Sequence, residues 1–67
     1  MTLLEQVADE LARETIRLIE AGADETLVAR VAEAIVNASQ TMEEAYLTAV
    51  RVRRAEARAR AVLAAAG

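Results

Sequence analysis

The sequence predicts an all-α fold: an up-down-up three-helix bundle with a long C-terminal helix. Three observations predict it. The 67 residues hold no proline and only two glycines, Gly22 and Gly67, so nothing breaks a helix between them. Seventeen residues are alanine and all eight cations are arginine, a narrow helix-forming alphabet. Capping signals divide the chain into three segments joined by short loops, and short loops set neighbouring helices antiparallel.

The first helix is expected over about 3–20. Thr2-Leu-Leu-Glu5 has the capping-box form, a hydroxyl at the N-cap and a carboxylate three residues on. Ala21-Gly22 ends it, with Gly22 free to take a left-handed conformation. At 100° per residue, Leu4, Val7, Ala8, Leu11, Thr15, Leu18 and Ile19 share one face. Glu5, Asp9, Arg13, Arg17 and Glu20 lie opposite, and Ile16 falls among these charges.

The second helix is expected over about 25–38, with Asp24 as its N-cap and Glu25 in its first turn. It has two apolar faces. One holds Leu27, Val28, Val31, Ala34, Ile35 and Ala38; the other holds Ala29, Ala32 and Val36. Thr26, Arg30, Glu33 and Asn37 leave only a narrow polar strip. A helix apolar almost all round is buried, and a three-helix monomer has no second layer to bury it.

The third helix is expected over about 42–66. Asn37-Ala-Ser-Gln40 reads as a loop and Thr41-Met-Glu-Glu44 as a second capping box. One face carries Met42, Ala45, Ala49, Val52, Glu56, Ala59 and Leu63. The other carries Leu47, Val50, Ala57, Ala61 and Ala64, with Arg54 set among them. At about 1.5 Å per residue this helix spans roughly 37 Å, against roughly 21 Å for the second. Its last turns therefore overhang the partners in its own chain.

Size points the same way. A chain this short buries only about 60% of its unfolded surface and is marginal without a staple. With neither cysteine nor histidine, disulfides and the usual metal sites are excluded. Oligomerisation is the remaining common way to complete the core. The predicted interface comprises Ala29, Ala32, Val36, Leu47, Val50, Arg54, Ala57, Ala61 and Ala64.

Charge is divided along the chain. Residues 1–50 carry three arginines and ten carboxylates, or −7; residues 51–67 carry five arginines and one glutamate, or +4. On a helix the run Arg51–Arg60 separates into two groups. Arg51, Arg54 and Arg58 form one stripe. Arg53, Glu56 and Arg60 form an intrahelical cluster at i, i+3 and i+4 spacing. The sequence places Arg53, Arg54 and Arg58 opposite the acidic corner Glu20, Asp24 and Glu25, so pairing there, within the chain or with a neighbouring one, is expected to set register and partner choice.

No catalytic chemistry is expected. Without His, Cys or Lys there is no nucleophile–base pair of the usual kinds and no Schiff base. The carboxylate pairs Glu10/Glu14 and Glu43/Glu44 lack the histidines of a helical metal site. Gly22 stands alone, so no phosphate loop forms. Nucleic acid is not an expected partner: net charge is −3, and Tyr46, the sole aromatic, lies outside the arginine run. No membrane partner is expected either, since no apolar run nears the roughly 18 residues of a span and the arginine-rich tail has only Val62 and Leu63 as bulky apolar residues. No signal peptide is visible. No cofactor or small-molecule substrate is expected, and the compartment stays open; expressed in bacteria, the chain is expected in the cytoplasm.

The whole chain resembles de novo designed helical-bundle subunits of self-assembling homo-oligomers. The features that carry the resemblance are the opening MTLLEQ, the minimal loops EAGADE and NASQTMEE, the repeated capping boxes and the narrow alphabet. Designed surfaces are usually lysine-rich, and this one has no lysine; an arginine- and alanine-rich natural dimerisation module would look similar. The resemblance implies a structural subunit that assembles with itself into a ring or cage. The alternative function is a helical module that presents the same faces to a different protein.

Overall fold

A computed structural model describes residues 1–67 as three α-helices and no strand: α1 (Leu3–Glu20), α2 (Leu27–Val36) and α3 (Gln40–Ala66). The capping box opens α1. The Thr2 hydroxyl accepts the Glu5 N–H at 3.1 Å, and the Glu5 carboxylate accepts the Thr2 N–H at 3.0 Å. Gly22 closes α1 at φ +117°. Its N–H donates to the Ile19 carbonyl at 3.0 Å and the Ala23 N–H donates to Leu18 at 2.9 Å. These two bonds occupy carbonyls that the helix end would otherwise leave bare.

The second helix is shorter than the expected 25–38, by two residues at each end. Asp24 does not cap it; its carboxylate accepts the Thr26 N–H at 2.8 Å and shapes the turn instead. Thr26 is the N-cap and makes no side-chain cap bond. At the other end Ala38 donates back to Ile35, a tight turn that stops the helix. Ser39 then takes an extended backbone, φ −160° and ψ 105°, and its hydroxyl accepts the Met42 N–H at 3.1 Å. Ser39, not Thr41, is therefore the cap of α3. A cap needs a non-helical backbone, and Thr41 already lies inside the first turn.

The core is small and built mostly from small residues. Ala8, Ala12 and Thr15 of α1, Ala32 of α2, and Tyr46 and Val50 of α3 are its buried members. Alanines at the contact let α1 approach α3 closely. Leu11, Val28, Val31, Ile35, Leu47 and Ala49 pack around them, half-buried. Tyr46 is the one large side chain fully enclosed, and its hydroxyl lies 2.8 Å from that of Thr15. The Thr15 hydroxyl donates to the Leu11 carbonyl at 2.8 Å. A threonine has one proton to give, so Tyr46 is the donor in the pair.

Helix α3 packs against both other helices. Arg54 reaches Glu25 ahead of α2, while the far end of α2 turns directly into α3, so α2 and α3 run antiparallel. Met1 and Glu5 lie beside Ala45 and Ala49, and Ile16 and Glu20 lie beside Ala57. Helices α1 and α3 thus point the same way, the up-down-up arrangement. The cover ends near Glu56: every residue from Ala57 to Gly67 is exposed. No helix is long and apolar enough to cross a membrane.

Candidate assembly surface

The arginine run emerges from the bundle at its middle. Neighbouring residues on a helix point about 100° apart, so Arg53 and Arg54 face different helices. Arg53 turns to α1. Its Nε and Nη2 donate to the two carboxylate oxygens of Asp9 at 2.9 and 2.7 Å, a two-pronged pair. Its Nη1 donates to Glu56 at 3.0 Å. Glu56 also accepts two bonds from Arg60, at 3.1 and 3.0 Å. The Arg53–Glu56–Arg60 cluster thus has the composition its spacing suggests, with Asp9 as a fourth member. The guanidinium of Arg53 holds the Asp9 carboxyl below the usual carboxylate range. Arg60 first, then Arg53, does the same to Glu56. The Arg53 guanidinium is raised in turn, by Asp9 and then Glu56.

The acidic corner is filled differently from expectation. Of Arg53, Arg54 and Arg58, only Arg54 pairs there, with Glu25. Arg53 is directed to Asp9 by its position on the helix. Asp24 is engaged with the backbone of Thr26. Arg58 and Glu20 line one hollow with Ile16, Ile19, Glu25 and Ala57, yet form no ion pair. Arg51 is exposed and makes no ion pair either.

The predicted interface residues separate into three groups. Ala32 and Val50 are buried in their own chain, 6% and 4% exposed, and are core rather than interface. They sit where α2 faces α3, so the second apolar face of α2 is covered in part by its neighbour. Val36 and Leu47 are half-buried. Ala29, Ala57, Ala61 and Ala64 are exposed, and Arg54 lies at the boundary, paired to Glu25. The stripe that buries Tyr46 and Val50 continues past the cover as Ala57, Ala61 and Ala64.

The other apolar face of α3, outside the predicted interface, is uncovered as well. It runs through Val52, Ala59 and Leu63, with Val52 59% and Leu63 70% exposed. Beside Val52, the N-terminal end of α1 leaves a hollow of about 340 Å³ lined by Met1, Glu5, Asp9, Ala45, Thr48, Ala49 and Val52. Helical periodicity puts Val52 and Leu63 on one face but is silent about Met1, which joins them only through packing. Ile16, which falls among charges on its own helix, is half-buried and lines two hollows beside Ala57 of α3.

The chain is more open than a compact domain of its size. The chain exposes 4861 Å². A compact monomer of this mass, 7.2 kDa, exposes about 4,100 Å². The radius of gyration is 13.0 Å, against about 11 Å for a compact domain of this length. The excess area, roughly 700 Å², is close to the roughly 800 Å² that each partner buries in a standard protein–protein interface. Searched against protein-family models, curated proteins and solved structures, the chain matches none.

Proposed function

We propose that the chain is a structural subunit whose activity is assembly with copies of itself into a closed, symmetric homo-oligomer. The observation that carries this reading is the uncovered end of α3. Ten residues, Ala57–Ala66, continue as helix, and all of them are exposed. An isolated helix of that length is marginal in water and gains its stability from packing. Both stripes of the overhang are apolar, and Val62 and Leu63 stand 69% and 70% exposed. The excess surface supports the same reading, as does the resemblance to designed helical oligomer subunits.

The test is the mass of the purified chain in solution, by light scattering or sedimentation. The expected result is a discrete multiple of 7.2 kDa at micromolar concentration. The double variant Ala61→Glu/Leu63→Glu charges both stripes at once and is expected to run as a helical monomer. Both positions are exposed, so the fold itself is not at stake. A wild-type monomer at micromolar concentration would refute the reading and turn attention to a different protein as partner.

A further inference from the structure

This inference rests on the homo-oligomer reading and names the surfaces that meet. Three of the bulky apolar side chains left exposed, Met1, Val52 and Leu63, form a knob and a hollow. Leu63 projects from the overhang, 70% exposed. Met1 and Val52, 83% and 59% exposed, rim the hollow between α1 and α3. Val52 and Leu63 are eleven residues apart, three turns and about 16 Å along one helix, and so lie on one stripe. We propose that two copies pair their α3 helices antiparallel on this stripe, each Leu63 seated in the partner copy's hollow against Val52.

A two-fold axis makes one contact twice, and here it passes α3 midway between Val52 and Leu63. Glu56 then faces Ala59 of the second copy, a residue small enough to allow close approach. Charge favours this stripe over the alanine stripe. Arg53, Arg54 and Arg60 already have carboxylate partners in their own chain. Arg51 and Arg58, the unpaired cations of the segment, lie more than a right angle from the Val52–Leu63 stripe and remain in water. Pairing here therefore buries no unpaired arginine, a cost that opposes association elsewhere. The chain's excess surface of roughly 700 Å² is of the same order as the roughly 800 Å² per partner of a standard interface. The alanine stripe offers less burial per residue.

Cysteine cross-linking tests the register, because the chain has no cysteine of its own. The double variant Val52→Cys/Leu63→Cys cannot bridge within one helix, since the two Cα atoms are about 16 Å apart and a disulfide needs less than about 7 Å. Under copper–phenanthroline oxidation it is expected to give one disulfide-linked dimer on a non-reducing gel. An equimolar mixture of the two single variants should cross-link as well, and each single variant alone should not. Leu63→Glu alone should lose assembly with helicity unchanged, while Ala61→Glu alone should keep it. Single variants that cross-link by themselves, a ladder of larger species, or an assembled double variant that does not cross-link would overturn this pairing and leave self-assembly standing. Wild-type and double variant both monomeric at micromolar concentration would overturn the assembly reading itself.

Discussion

Replacing Thr15 by valine should destabilise the chain more than replacing Thr15 and Tyr46 together. The reasoning starts from one buried hydroxyl pair. Tyr46 is fully enclosed and Thr15 is 3% exposed, with their oxygens 2.8 Å apart. Because Thr15 donates to Leu11, its oxygen is the only acceptor for the Tyr46 proton. Thr15→Val keeps the side-chain shape and leaves that hydroxyl buried with no partner, at a cost of about 1–3 kcal/mol. Tyr46→Phe removes the donor and leaves Thr15 still bonded to Leu11, so its cost is about 0.5–1.5 kcal/mol. The double variant leaves no orphaned donor and should melt above Thr15→Val. For a domain of this size 1 kcal/mol shifts the midpoint by about 4–8 °C. Total stability is expected at roughly 3–10 kcal/mol, so the effect is a sizeable fraction of it. The assay is far-UV circular dichroism melting at one fixed protein concentration, since an oligomer's midpoint depends on concentration. Additive losses, with the double variant lowest, would show that the two hydroxyls do not interact and that Tyr46 is held by packing alone.

Three further outcomes are expected. Ser39→Ala removes the cap of α3 and should cost about 1 kcal/mol, whereas Thr41→Ala, at an exposed first-turn position, should stay within about 0.5 kcal/mol; thermal melts compare them directly. Gly22→Ala should cost about 1–2 kcal/mol in the same melts, and wholly through the backbone: φ is +117° and an added Cβ meets nothing within 4 Å. Acid should destabilise the fold, since Asp9, Glu56, Glu5 and Asp24 all have folded pKa values below their ordinary ones. Their stabilisation is complete above the unfolded values near pH 4 and is lost as pH falls through the lower folded values. The melting midpoint should therefore drop below about pH 4, and Asp9→Asn should flatten that drop; a wild-type midpoint indifferent to acid would contradict the paired geometry.

Much of this molecule is local, and local features are legible in residues. Thr2 and Glu5 close a capping box that needs only three residues of spacing. Gly22 ends α1 because it alone among its neighbours takes a left-handed backbone freely. The Arg53–Glu56–Arg60 cluster follows from i+3 and i+4 geometry on any helix. The length of α3 follows from the lack of a breaker between Gln40 and Ala66. Class, element order and the overhang were thus set by short-range chemistry.

Tertiary packing decided what each face meets. Ala32 and Val50 look like free apolar surface on their own helices, and only the close antiparallel contact of α2 and α3 makes them core. Arg53 and Arg54 are neighbours in sequence, yet one answers to Asp9 on α1 and the other to Glu25 ahead of α2. Thr15 and Tyr46 are thirty-one positions apart, so no periodicity links their hydroxyls. Met1 and Val52 share a hollow for the same reason. Periodicity says which side chains share a face; the identity of the opposing surface depends on how helices are offset and rotated, which many weak long-range contacts settle together.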